Sequence, residues 1–377
     1  DHIQVISEDV GGGFGMKAST YPEYPALLFA ARALGAPVHW VSGRGEAFLS
    51  DNQGRDNTWT AELAMDAEGR FLAARIEGLA ALGAYLTGVG IFSNTINLYA
   101  CLPGMYHLPL LALRMRCVFT NTVPIGPYRG AGRPEINFLL EQLVEEAGRV
   151  SALGPVEIRR RNLIPPSAMP YATAVGTVYD SGDFPRLFEA ALARAEYASF
   201  PARAAAAAAR GRRRGIGLAC YLENSGGVPE EPARITFPGD GTVVVSVNAV
   251  PQGQGHVTVF GGLAARHLGV PRHAVRLQFG DSLRDVPGMG AVASRSAMMT
   301  GGAIAHTAGL VLEKAGRAAA LLLQAAPEEI TWRDGLFTAP SGASLGLIEL
   351  AARAAELQKQ GVLAETLDTT AELKAAL

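Results

Sequence analysis

The sequence predicts an α+β protein of two mixed helix-and-strand domains, and three observations carry that reading. At 377 residues the chain is long enough for two cores. Its hydrophobic fraction of 49% and its 44 glycines fit a folded α/β chain rather than a disordered one. Segments with apolar residues at helical spacing alternate with short strand-like runs. The alternation breaks at the low-complexity stretch ARAAAAAARGRRRG, Ala202 to Gly215, and restarts after it. We therefore expect a first domain over 1–180, a connector over 181–215 and a second domain over 216–377.

The first half begins with a short strand ending at Val5-Ile6 and a glycine turn, GGGFGMK, at Gly11 to Lys17. A helix follows over Glu23 to Leu34, with Pro22 near its start and Gly35 just past its end. VHWVS, Val38 to Ser42, reads as a strand and completes a crossover unit. TWTAELAMD, the turn AEGR and FLAARIEGLAALGA form a long hairpin. Pro134 opens a second helix with Ile136, Leu139, Leu140, Leu143 and Val144 on one face. VEIRRRNLIPP supplies a shorter helix, stopped by Pro165-Pro166. In the second half GIGLACYLE, ARITF, TVVVSVNAV and HAVRLQFGD read as strands, and HVTVFGGLAARHLG as a helix. Ser296 to Gln324 is a long apolar helix containing Gly301-Gly302.

Several function classes are disfavoured by composition. Lys+Arg 33 against Asp+Glu 35 gives a net charge of −2, without the basic excess of a nucleic-acid binder. The local RGRRRG run reads as a solvated linker. No apolar run reaches the ~18 residues that span a bilayer, and no secretory leader is present, so no membrane partner is expected. The first residue is Asp1, which suggests part of a longer product. Cys101, Cys117 and Cys220 form no C-x-x-C pair and fit neither a disulfide framework nor a cluster site. Free thiols in a reducing, cytoplasmic compartment are the expectation.

The glycine turn must hold the backbone close to something. A P-loop needs a hydroxyl after the lysine, and Ala18 follows Lys17. A G-x-G-x-x-G fingerprint also fails in every register: the third glycine falls on Met16 or Ala18, or the second on Phe14. Three further loops share its character: PYRGAGRPE (Pro127 to Glu135), PQGQGHVT (Pro251 to Thr258) and GDSLRDVPGMGAVASRSAMMTGGA (Gly280 to Ala303). Each runs into a predicted helix N-terminus, where free N–H groups favour anions. Together the loops suggest one large anionic ligand held mainly by backbone groups.

In order and spacing, these four segments resemble the molybdenum-binding large subunit of the xanthine dehydrogenase, aldehyde oxidase and carbon monoxide dehydrogenase family. The resemblance covers about Ile3 to Gly309 and implies two molybdenum-cofactor-binding domains, incomplete at both ends. It implies a molybdenum pterin cofactor, often in a cytosine dinucleotide form, which the chain as it stands would not necessarily retain. Gly12, Gly13, Phe14 and Gly15 would then lie beside the metal, offering backbone amides where a side chain would obstruct. Gly253, Gln254, Gly255 and Thr258 would hold the pterin and its phosphate, and Ala293, Ser294, Arg295 and Ser296 would add a further contact. Arg129 would be the catalytic arginine near the metal, orienting substrate and stabilising developing negative charge. A salt bridge to Glu135 is its purely structural alternative.

Two departures bear on substrate. Carbon monoxide enzymes carry a cysteine just after that arginine, where this chain has Gly130. Xanthine enzymes place a glutamate after the glycine-turn lysine, where this chain has Ala18. An aldehyde or a nitrogen heterocycle remains, oxidised by water-derived hydroxylation. The family's general base, a glutamate in a C-terminal G-E-x-G motif, has no counterpart here. The resemblance further implies iron–sulfur and flavin (FAD) partners, and exposed apolar surface favours a homo-oligomer. A non-catalytic binding or assembly module with the same fold is the alternative.

Overall fold

The computed structural model describes residues 3–225 and 230–374. By their contacts the residues divide into two units, Phe14–Asn224 and a second formed by Ser225–Leu377 with Asp1–Gly13.

The Phe14–Asn224 unit begins with helices α1 (Glu23–Leu34) and α2 (Arg44–Ser50). Strands β1 (Asn57–Met65) and β2 (Phe71–Ala81) form the expected antiparallel hairpin. After the short helices α3 (Gly90–Ser93) and α4 (Ile96–Tyr99), β3 (Leu110–Val118) joins β2 in parallel, giving the order β1-β2-β3. From Ala74 on, period-2 alternation on β2 buries Ala74 and Ile76 and leaves Arg75 and Glu77 exposed, and Phe71 is buried at the strand's start. The buried set belongs to one core with Ile136, Leu140 and Val144 of α5 (Arg133–Val150) and Ile158 of α6 (Gly154–Asn162). The spacing of the α5 residues keeps them on one face of the helix.

A small ribbon of β4 (Tyr171–Ala172) and β5 (Val178–Tyr179) follows. Residues expected to form a free connector fold onto this unit instead. In α7 (Phe184–Arg194), capped by Asp183, residues Phe184, Phe188 and Leu192 enter the same core. The alanine run forms α8 (Phe200–Ala208), and the arginines after it are exposed.

The other unit carries a four-stranded sheet in the order β12-β6-β7-β8. Its strands are β6 (Glu230–Thr236), β7 (Val243–Ser246), β8 (Val275–Gln278) and β12 (Thr369–Lys374). Helices α9 (His256–Leu268) and α10 (Gly301–Leu322) supply Phe260, Leu268, Ile304 and Val311 to the core that holds Ile235, Val243 and Val245 of the sheet. A small sheet of β9 (Thr331–Arg333), β10 (Leu336–Thr338) and β11 (Ser344–Gly346), with α11 (Leu347–Lys359), extends that core through Phe337, Leu345 and Leu350.

Three expected strands do not form. Val5-Ile6 makes a single bridge, Ile6 to Asp281, reinforced by Ser7 N–H to Gly280 O at 2.7 Å and Ser282 N–H to Val5 O at 3.0 Å. Those bonds assign the first residues to the distant half of the sequence. Residues 38–42 have no ladder partner, and Val41 is 74% exposed, so the expected crossover unit is absent. Residues 216–224 are extended without a ladder, because their carbonyls meet side chains. Leu218 O accepts from Arg159, and Leu222 O from Asn137. Strand-like composition without a neighbouring edge gives extended chain rather than sheet.

Candidate functional site

The chain passes from one unit to the other within the glycine turn, between Gly13 and Phe14. Its first part is tied to the PQGQG loop, since Val10 N–H donates to Pro251 O at 3.2 Å. Its second part lies against the PYRGAGRPE loop: a Cβ on Gly15, whose φ is +90°, would sit 2.7 Å from Pro127 O. Only glycine tolerates that combination. Phe14 also adopts a positive φ, 53°, and is exposed. Among the described residues, no protein carbonyl accepts from the amides of Gly11 to Gly15. Lys17 is taken up elsewhere. Its Nζ lies 2.8 Å from Asp51, which also accepts from the Tyr21 hydroxyl. Burial alone would raise the Asp51 carboxyl, but these two hydrogen bonds outweigh it and hold it below its ordinary value.

In the PYRGAGRPE loop three successive residues, Gly130, Ala131 and Gly132, have positive φ. A Cβ on Gly132 would fall 1.9 Å from Ser93 O, so the backbone is pinned against α3. Arg129 is exposed, and among the described residues no carboxylate lies within ion-pair distance of it. Its carbonyl accepts from the Arg55 guanidinium, which lies over the Tyr128 ring at 4.8 Å. The partner of Glu135 is therefore Arg55, at 3.8 Å, and the alternative Arg129–Glu135 bridge does not form. Burial raises the Glu135 carboxyl above its ordinary value, with Arg55 opposing.

The other two loops belong to the second unit. Gly253 (φ +98°) and Gly255 (φ +77°) have no heavy atom within 4 Å of an added Cβ, so both face open space. Gly255 is the residue before α9, and Thr258 is exposed in that helix's first turn. Gln254 turns its side-chain oxygen back to the Gln252 amide. His256 is buried, with Nδ1 2.9 Å from Ala249 O, and fixes the helix start. The last loop runs beside the same segment: Asn248 donates to Val286 O at 3.1 Å, and a Cβ on Gly288 would lie 2.9 Å from Asn248 Cβ. Ala293 (φ 50°) and Ser294 (φ 56°) are both left-handed. They lead into a π-helical turn, Ser296–Thr300, that feeds α10.

One expected contact changes character. Arg295 is fully buried, and its Nη1 lies 2.5 Å from Glu231. That guanidinium is engaged with β6 through Glu231 and, at 2.8 Å, the Glu230 carbonyl. The family resemblance implies a cofactor contact at Arg295 and says nothing of a protein partner. Its partner is 64 residues away on β6, where no local pattern reveals it.

Of the four loops, three contain non-glycine residues at positive φ: Phe14, Ala131, Ala293 and Ser294. Such residues cost roughly 1–3 kcal/mol each and persist where the surroundings over-determine them, commonly at ligand sites. Within the second unit, the open faces of Gly253 and Gly255 beside the start of α9 suit an acceptor-rich, anionic group. Among the described residues no cluster of three or more His, Cys, Asp or Glu is placed to hold a metal ion. No helix among them is long and apolar enough to cross a membrane.

Two matches to the molybdopterin cofactor-binding domain cover residues 1–163 and 190–374. The chain belongs to the molybdenum-binding large-subunit family of the molybdenum hydroxylases. It is 30% identical over 362 residues to the nicotine 6-hydroxylase large subunit of Paenarthrobacter nicotinovorans, covering 92% of this chain and 44% of that protein. The carbon monoxide dehydrogenase large chain of Hydrogenophaga pseudoflava is also 30% identical, over 89% of this chain and 44% of its own length. The crystal structure of quinoline 2-oxidoreductase from Pseudomonas putida 86 superposes with a TM-score of 0.88 at 32% identity, covering 99% of this chain and 50% of that one. The chain thus spans about half the length of the large subunits it matches. The superposed quinoline 2-oxidoreductase chain shares its α+β fold.

Proposed function

We propose that this chain is the cofactor-holding part of a molybdenum hydroxylase large subunit whose whole protein oxidises a nitrogen heterocycle or an aldehyde. Left-handed backbone at all four motif loops, with open faces at Gly253 and Gly255 and no described carbonyl taking up the amides of Gly11 to Gly15, is the observation that carries this reading. When bound, a molybdenum pterin supplies a two-electron oxidation that places a water-derived oxygen on a substrate carbon.

The chain's own residues have separable roles. The amides of Gly12, Gly13, Phe14 and Gly15, which no described carbonyl takes up, would donate to the cofactor. Gly253, Gln254, Gly255 and Thr258 receive the pterin and its phosphate at the start of α9, where the helix dipole favours negative charge. Ala293, Ser294 and Ser296 add polar contacts from the fourth loop, and a cytosine nucleotide extends the phosphate. Arg129, exposed and clear of carboxylates, orients substrate and stabilises the charge that develops on a ring nitrogen or carbonyl oxygen. The general base is not among these motif residues.

Nicotine and quinoline, in the names of two similar proteins, are nitrogen heterocycles, which supports that class over aldehydes. Gly130 and Ala18 speak against carbon monoxide and purine. Electrons leave to iron–sulfur and flavin partners in a cytoplasmic, homo-oligomeric assembly.

Turnover of the full-length protein with quinoline, nicotine and benzaldehyde, using an artificial electron acceptor, tests the proposal. Hydroxylation of a heterocycle is expected, and Arg129→Ala should lower kcat/KM by about a hundredfold at unchanged cofactor content. Full cofactor loading without oxidation of any of the three would favour a non-catalytic binding or assembly module instead.

A further inference from the structure

Glu231 lies at the start of β6, outside all four motif loops, yet both of its carboxylate oxygens are engaged by residues of the fourth loop. It and Arg295 are both fully buried, with Glu231 Oε2 2.5 Å from Arg295 Nη1. Its other oxygen, Oε1, accepts from the Thr300 hydroxyl at 2.8 Å, and Thr300 is also fully buried. The neighbouring carbonyl, Glu230 O, accepts from Arg295 Nη2 at 2.8 Å. Arg295 immediately precedes the π-helical turn Ser296–Thr300, and Thr300 closes it. One carboxylate on a sheet strand therefore grips both ends of that turn.

Directly before the grip stand Ala293 and Ser294, both in the left-handed region. A π turn and two left-handed residues in succession are each unfavourable in isolation. Something outside the segment must hold them. The core packs α10 beyond Thr300, and the Asn248 contacts engage the loop near Gly288. At the start of the turn the Glu231 ion pair is one such grip, and it reaches the turn's far end as well through Thr300. A buried ion pair is a poor source of net stability compared with well-packed apolar residues, because desolvation offsets the attraction. Its fixed, forked geometry is better suited to specifying a conformation.

We propose that Glu231 is a positioning residue for the cofactor site, acting through Arg295 and Thr300 to hold Ala293, Ser294 and Ser296 in their ligand-ready conformation. The assignment of those three residues to the cofactor rests on the function proposed above, whereas the grip on the loop does not. Removing charge on both sides at once separates positioning from stability, since breaking the pair on one side alone would also strand a buried charge.

The test compares the full chain with the double variant Glu231→Leu with Arg295→Met and with the single variant Arg295→Lys. Hydrogen exchange without cofactor is read at amides 291–300, with α9 and β7 as internal references, and pterin content is read separately. The double variant should keep the denaturation midpoint and the reference protection, while its 291–300 amides exchange about tenfold or more faster. Its pterin content should fall, and Arg295→Lys, which keeps the charge without the fork, should fall between it and the parent. Unchanged exchange at 291–300 in the double variant would overturn the grip. Faster exchange with pterin fully retained would overturn the role toward the cofactor. If the unsubstituted chain binds no pterin while the exchange difference persists, the cofactor reading fails and the grip on the loop stands.

Discussion

At the residue scale, the candidate site depends on backbone that few side chains permit. Gly15 and Gly253 separate two reasons for glycine. Gly15 is left-handed and abuts Pro127, so Gly15→Ala adds steric overlap to the roughly 1–3 kcal/mol of backbone strain. Gly253 faces open space and pays the backbone term alone. Urea titration should show the larger loss for Gly15→Ala, whereas Gly253→Ala should lower pterin content out of proportion to its small effect on the midpoint. Glu135 gives a pH dependence. Burial raises its carboxyl in the folded state, so the folded protein binds the proton more tightly than the unfolded chain. That contribution is full at acid pH and lost as pH rises from the unfolded value, about 4.5, through the raised folded one. Glu135→Gln should therefore raise the midpoint at pH 7 and leave it nearly unchanged near pH 3.

Much of this site was legible in the sequence because it is written in local order: glycine clusters, adjacent helix starts and their sequence along the chain. Partners were not legible. The Arg55–Glu135 and Arg295–Glu231 pairs each join residues far apart in sequence, and a charged residue beside glycines carries no sign of which way it faces.

At the scale of elements, α5 and α6 are joined by a buried polar knot. Arg159, 1% exposed, donates to Glu141 at 2.9 Å and to Leu218 O at 3.1 Å, and Glu141 accepts from Tyr106 at 2.6 Å. Arg159→Met would leave Glu141 buried without its counter-ion, at a cost of about 3–5 kcal/mol. Guanidinium denaturation should show that loss, and a change under about 1 kcal/mol would mean that solvent reaches Glu141. The knot also explains why the 216–224 segment is not a strand: its carbonyls serve Arg159 and Asn137 rather than a ladder. Helices with strong periodicity, such as α1, α5, α9 and α10, were readable to within a few residues. VHWVS and GIGLACYLE failed because β composition states what a segment tolerates, not whether an edge is available. Helix α1 shows the same limit in reverse. It forms as expected, yet none of its residues is buried, and Leu28 and Phe29 are 67% and 76% exposed.

At the scale of the whole molecule, two mixed α/β units follow from two apolar cores, and the break near the arginine run signals that division. Its position moves because two things act on it that composition does not record. The buried face of α7 holds the expected connector to the first core, and backbone bonds from residues 5 and 7 carry the N-terminal segment to the second. The chain therefore crosses between the units twice, inside the glycine turn after Gly13 and again after Asn224, beyond the arginine run. The central claim is that these loops hold a molybdenum pterin. The most direct test is molybdenum content by elemental analysis, alongside pterin released as its fluorescent oxidation product. A large subunit of the family, expressed in the same host, serves as the loading control. We expect molybdenum and pterin in near-equal amounts approaching one of each per chain, falling together in Gly253→Ala. A chain that is folded yet free of both, beside a fully loaded control, would contradict the account.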